Sequence, residues 1–202
     1  MPTHAPKLLI LGRDGVLNLY RDDHVKAPEE WEPVPGALEA LARLNHAGWH
    51  AVVATNQAGI GRGMIDMASV NAVHAHMHRQ LMAVGGRVDA VFFCPHTPEE
   101  GCDCRKPLPG MMKDIGRRYG ADLEDVPMVV DSLRDLQAAA AAGCPPHLLL
   151  TGRAADLDDE ALAKMVEQVP QTRVHKDLAA FADWLLKRDH VVDSGAGALG
   201  AA

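Results

Sequence analysis

A doubly wound α/β fold with a parallel sheet is expected from three features of the sequence. Short apolar runs bounded by turn residues alternate with longer stretches of helical periodicity. Each of the four helical stretches between the runs is followed closely by a glycine, the residue that ends helices most easily. Polar residues able to hold a ligand stand just after the apolar runs, where such a sheet gathers its chemistry.

Taken in order, the first strand is expected at Leu8–Leu11 (LLIL), followed by a helix over Leu38–Ala47 that stops before Gly48. A second strand at Ala51–Thr55 leads to a helix over Ala68–Val84, ended by Gly85 and Gly86. The third strand, Val91–Phe93, precedes a helix over Gly110–Tyr119, and the fourth, Met128–Val130, precedes one over Leu133–Ala142. A fifth strand at Leu148–Leu150 and a last helix over Leu178–Lys187 complete the layer. At 202 residues one domain is expected, spanning 1–188. Residues 189–202, ending in the small-residue run DSGAGALGAA, are expected to form a disordered tail.

Composition narrows the partners. The net charge of -7 and a pI near 5.8 argue against a nucleic-acid surface, which needs clustered cations to displace counterions. The N-terminal apolar run is too short for a signal peptide or a membrane span, so a cytoplasmic chain without membrane contact is expected. A small soluble metabolite is the expected partner, and a monomer the expected state.

Three of the four cysteines fall within ten residues of one another, in CPHTPEEGCDCRKP. Cys94, His96, Cys102 and Cys104 form a C-x-H-x5-C-x-C array, which is a closed tetrahedral ligand set for a structural zinc ion. The alternative is reduced core cysteines beside a surface histidine. Cys144 stands apart and reads as a small buried hydrophobe.

At the expected strand ends, Asp14 and Asp131 offer hard oxygen ligands, Thr55 and Asn56 a hydroxyl and an amide, and Lys106 a cation. Together they describe a site for phosphate and Mg2+. An aspartate after a strand is often only a helix cap, yet sets at four strand ends rarely arise for capping alone. On the helix over Ala68–Val84, His74 and His78 share a face at i,i+4; with no suitable carboxylate beside them they read as part of a solvated polar face.

The segments RDGVLN, TNQAGIGRG, CRKP and DSLRDLQAA resemble the four motifs of the haloacid dehalogenase phosphatases, a Rossmann-like fold family. The Cys/His loop is similar to that of the branch holding heptose-bisphosphate and histidinol-phosphate phosphatases. The resemblance covers residues 7 to 152, and DDHVKAPEEWEPVPG and GMIDMASVNAVHAHMHRQL look more like the heptose-bisphosphate enzymes. It implies a Mg2+-dependent removal of the 7-phosphate of D-glycero-D-manno-heptose 1,7-bisphosphate, a lipopolysaccharide precursor. It further implies Asp14 as general acid and base and, through its backbone carbonyl, as a Mg2+ ligand. Asp131 would hold Mg2+, Thr55 and Asn56 phosphate, Lys106 the phosphate charge, and Arg105 the sugar or its second phosphate.

Two positions depart from the family's pattern. Gly12 stands where the family carries its nucleophilic aspartate, and glycine can neither form an aspartyl-phosphate nor ligate the metal. Asp14 is a poor substitute, because its role directs its carboxyl beside the leaving group and not in line with it. Val130 stands where a glycine usually precedes the metal-binding aspartate, and its branched side chain is expected to crowd the site. A phosphatase scaffold that binds a phosphorylated sugar but is inactive or strongly impaired, with weakened Mg2+, is therefore expected. The alternatives are a histidinol-phosphate phosphatase-like enzyme, an enzyme using metal-activated water, and an interaction protein with a vestigial site.

Overall fold

The computed structural model describes residues 7–196. Six parallel strands form one sheet in the order β3-β2-β1-β4-β5-β6: β1 is Leu8–Leu11, β2 His50–Asn56, β3 Ala90–Cys94, β4 Met128–Val130, β5 Pro146–Leu149 and β6 Arg173–His175. The helices are α1 (Ala37–His46), α2 (Ala58–Gly61), α3 (Met67–Ala83), α4 (Gly110–Tyr119), α5 (Leu133–Ala142), α6 (Asp159–Gln168) and α7 (Leu178–Ala196).

The apolar run of β1 has a simple cause. Leu9 and Leu11 point into one helical layer, with Leu41 and Leu44 of α1, Met77 of α3 and Phe181 of α7. Leu8 and Ile10 point into the other, with Met112 and Ile115 of α4 and Leu136 of α5. A strand buried on both faces has no polar alternation, and all four residues of β1 are buried. Helix ends follow their local chemistry: the Asp66 side chain accepts from Ser69 N at 2.7 Å to start α3, and Gly120 and Gly143 close α4 and α5 in the left-handed conformation.

The sequence expectation identified five of the six strands and missed β6, whose RVH leaves Arg173 and Val174 exposed at the sheet edge. It also missed α6, which buries no residue fully, and α2, which is four residues long. The last helix continues past Lys187 through 189–196, part of the expected tail; residues 197–202 of that tail lie outside the described residues. Among the described residues no helix is long and apolar enough to cross a membrane.

The chain leaves β1 toward β2 and β3 on one side and later returns to β4 on the other. The strand order reverses at β1, so the crevice beyond its carboxyl end is the natural ligand site of the sheet.

Candidate active site

The loop after β1 folds around one backbone carbonyl. Arg13 O accepts from Leu17 N at 2.8 Å and from Asn18 N at 3.2 Å, and Gly15 supplies the left-handed turn (φ 79°). The loop directs the Arg13 side chain inward, where it is 1 % exposed and grips Asp14: Nη2 lies 2.9 Å from Oδ1 and 3.1 Å from Oδ2. Asn18 Nδ2 donates to the same carboxylate at 3.0 Å. Burial pushes the Asp14 carboxyl up, but Arg13, the Asn18 amide and Arg153 outweigh it and hold the group below the usual carboxylate range.

Gly12 directly follows β1 at the reversal point, with its N–H donating to Val129 O at 2.9 Å. Its φ is not left-handed, and a β-carbon there would meet Val16 Cγ2 at 3.1 Å and Val129 O at 3.7 Å. The backbone therefore does not require glycine. A larger residue fits once the Val16 methyl gives by a few tenths of an ångström.

At the end of β2 the side chains of Thr55 and Gln57 are buried, and the Gln57 amide oxygen accepts from Thr55 Oγ1 and from Arg13 Nη2, each at 3.0 Å. Asn56 clasps the Lys106 peptide from both sides: its Nδ2 donates to Lys106 O at 3.0 Å, and its Oδ1 accepts from Lys106 N at 3.2 Å. That clasp pins the loop after β3 to β2. It fixes the root of a buried lysine whose Nζ donates to Ala54 O and to Asp135 Oδ2, each at 2.9 Å. Burial alone would raise the Asp135 carboxyl, yet Lys106 and Arg134 bring it below its ordinary range.

Asp131 follows β4 and is 1 % exposed. Arg153 N donates to its Oδ2 at 2.9 Å, while Arg153 Nη1 stays 3.9 Å away. Burial, reinforced by the Asp135 charge, pushes the Asp131 carboxyl up to about 6. Gly15 and Gly152 press on this carboxylate from two loops, both with positive φ, and a β-carbon on either would overlap Oδ2. Thr151 Oγ1 locks the loops together by donating to Gly15 O at 2.6 Å. Val130 is fully buried in the apolar layer with Ile10, Ala54 and Met112. Its side chain packs as core, so the expected crowding of the metal site is not its main contact.

Beyond β3, Cys94, His96, Cys102 and Cys104 bring one ligand atom each to within 4.8 Å of all the others. The three sulfurs are 3.2 to 3.6 Å apart, and His96 Nδ1 lies 3.3 Å from Cys104 Sγ and 3.6 Å from Cys94 Sγ. No two of them form a disulfide. The cluster can hold a metal ion, and it steers Arg105, whose Nη1 donates to His96 O at 3.2 Å.

Residues 103–181 match the HAD-hydrolase-like family model. A D-glycero-beta-D-manno-heptose-1,7-bisphosphate 7-phosphatase of Bordetella bronchiseptica is 56% identical over 90% of this chain and 98% of that protein. The enzyme of the same name from Pseudomonas aeruginosa is 47% identical over 89% and 98%. The chain belongs to the heptose-1,7-bisphosphate 7-phosphatase family of HAD hydrolases. The fold agrees: the crystal structure of the B. bronchiseptica phosphatase complexed with magnesium and phosphate superposes with a TM-score of 0.84 at 55% identity, over 90% of this chain and 99% of that one. A Burkholderia thailandensis D,D-heptose 1,7-bisphosphate phosphatase gives 0.68 at 50% identity over 89% and 98%.

Within this phosphatase family frame, the structure brings Asp14, Thr55, Asn56, Arg105 and Lys106 to the wall of one cavity of about 210 Å3. Asp131 lies beneath it, covered by Gly15 and Gly152, and the Cys/His cluster stands to one side. Arg21, Arg62, Arg134 and Arg153 line the same cavity and were not foreseen as site residues. With Arg13, Arg105 and Lys106 they make seven cations against three carboxylates, Asp14, Asp22 and Asp135. Arg153 stacks on Tyr20 at 3.9 Å from the ring centre, and His24 enters the wall in the left-handed conformation (φ 66°).

One expectation is overturned. His74 does not belong to a solvated face: it is 8 % exposed, and its Nε2 lies 3.2 Å from Arg13 Nη1. Burial first, then the Arg13 charge, push the imidazole down to about 4. The i,i+4 pattern placed His74 and His78 on one side of α3 but could not reveal that the loop after β1 delivers a guanidinium there.

Proposed function

We propose that this chain binds the bisphosphorylated heptose of its family but turns it over at most very slowly, because Gly12 removes the nucleophile. The binding half rests on the cavity: an excess of cations at the carboxyl end of a parallel sheet suits a substrate with two phosphate groups. The 7-phosphate is assigned to the crevice beside Lys106, whose ammonium is already desolvated and oriented by Ala54 O and Asp135. The second phosphate is assigned to the outer arginines, Arg105 among them.

The impaired half rests on Gly12. Attack on phosphorus at this position needs a carboxylate oxygen in line with the leaving group, and a hydrogen atom supplies none. Asp14 is held by Arg13 and Asn18 for proton transfer: ionised, it can take a proton from water, and once protonated it can give one to the leaving oxygen.

The donor sets fit two metals. Asp131 is a buried carboxylate whose nearest cationic nitrogen, at 3.9 Å, is outside hydrogen-bond reach; with the Asp14 backbone carbonyl it would hold Mg2+. Mg2+ would supply charge neutralisation to the phosphoryl oxygens. Three sulfurs and one imidazole nitrogen fit Zn2+, whose sulfur bonds of about 2.3 Å imply sulfur separations of about 3.8 Å, a few tenths beyond those seen. That closed set makes zinc a brace for Arg105 and Lys106.

Calorimetric titration with heptose bisphosphate, with and without Mg2+, tests the binding half. Binding in both conditions is expected, since loss of the position-12 carboxylate weakens the Mg2+ site and also removes a negative charge facing the phosphate. No binding in either condition would defeat it.

A further inference from the structure

We propose that His74 is a positioning residue: as a neutral hydrogen-bond acceptor it fixes the Arg13 guanidinium, which in turn aims the Asp14 carboxylate. The proposal rests on the reading of Asp14 as the proton-transfer group. It adds a part of the machinery that lies on α3, sixty-one residues along the chain from Arg13.

The geometry carries it. A buried guanidinium has five N–H groups and must place them. In this site Nη2 and Nε face Asp14, at 2.9 and 3.3 Å from Oδ1, and the Gln57 oxygen sits 3.2 Å from Nη1 and 3.0 Å from Nη2. His74 Nε2, at 3.2 Å, takes the remaining direction of Nη1. Among the described residues Asp14 is the one carboxylate paired with Arg13, so a swing of the guanidinium would carry the carboxylate with it.

Only an unprotonated Nε2 can accept from an arginine, so the ring proton belongs on Nδ1. The site enforces that state: the ring is buried against Phe93 of β3, with centroids 6.3 Å apart, and a protonated ring would face the Arg13 charge without a carboxylate in contact. His74 touches neither cavity nor substrate space; its effect passes through Arg13. Displacing a proton-transfer group by about an ångström costs on the order of a hundredfold in rate, which is the scale on which such a residue acts.

The test uses the full chain in two backgrounds. In Gly12→Asp, His74→Leu should lower kcat at least tenfold while KM and the melting temperature stay close to the parent. His74→Gln, which restores an acceptor oxygen, should recover most of the loss. Equal kcat for His74→Leu and its parent would overturn the proposal, as would a loss in both variants that follows their melting temperatures. In the chain as it stands, nitrogen NMR should show His74 with its proton on Nδ1 and resolved Arg13 Nη signals that merge in His74→Leu. Should Gly12→Asp prove inactive, the nucleophile account fails separately, and the NMR decides His74: Arg13 signals unchanged in His74→Leu would overturn its role.

Discussion

The buried pair of Lys106 and Asp135 shows how a single contact can serve both folding and chemistry. Both side chains are nearly inaccessible, at 3 % and 6 %, so neither charge is compensated by water. Replacing Lys106 by Met leaves Asp135 with only the longer contact to Arg134 Nε at 3.5 Å, and removing one member of a buried pair costs up to about 3–5 kcal/mol. Urea unfolding of Lys106→Met should show a loss of that order, and Lys106→Met with Asp135→Asn should recover much of it. A loss below about 1 kcal/mol would mean that the pair is hydrated in solution. At this scale the sequence was informative about residue type and less so about contact. Lys106 and Asp131 stood out because they follow strands, whereas Asp135 and Arg13 lie in the same motif strings but declare themselves only through tertiary partners, Lys106 for the one and His74 and Gln57 for the other. His74 was misread for the same reason: helical periodicity says which residues share a face and nothing about what covers it.

Among the elements, the segment from Cys94 to Lys106 has little packing of its own, and on the zinc reading proposed above its order would come mainly from the bound ion. It has one short 3-10 turn, Pro98–Glu100, and its apolar contacts to the core run mainly through Cys94, Cys102 and Cys104. A structural zinc site contributes its binding free energy to folding. One zinc per chain should survive dialysis against EDTA under reducing conditions, and Cys102→Ser with Cys104→Ser should lose both the zinc and most affinity for heptose bisphosphate, because Arg105 and Lys106 lose their anchor. Less than about half an equivalent of zinc in reduced protein would contradict the assignment. This loop was legible from spacing alone, since ligand chemistry constrains residue type more tightly than packing does. β6 and α6 were not legible, because an edge strand with two exposed residues and a helix without a fully buried one carry little hydrophobic periodicity.

For the whole molecule, acid stability should reflect a histidine pair far from the cavity. His147 of β5 and His175 of β6 are hydrogen-bonded at 3.0 Å and stacked beneath Phe181 and Trp184 of α7. Burial, then the charges of His175, Arg173 and Arg188, push His147 from 6.5 down to about 3. The unfolded chain therefore binds a proton below about 6.5 that the folded chain refuses, so stability is full above that pH and falls as pH drops toward 3. Linkage gives about 2 kcal/mol lost by pH 5 from His147, and His74, pushed down to about 4, adds a loss of similar size. Urea midpoints between pH 7.5 and 5 should fall accordingly, and His147→Phe should flatten the slope; an unchanged slope in that variant would place the proton uptake elsewhere.

The central claim, that a complete binding site here lacks its nucleophile, is tested most directly by one comparison. Steady-state release of phosphate from heptose bisphosphate should be measured for the chain and for Gly12→Asp, which the backbone at position 12 can accept. Loss of the nucleophile in a covalent enzyme costs up to about six orders of magnitude in kcat, so the variant should be faster by several orders. Comparable rates for the two proteins would contradict the account: well above the uncatalysed rate they would point to attack by another group, and negligible in both they would place the defect elsewhere than at position 12.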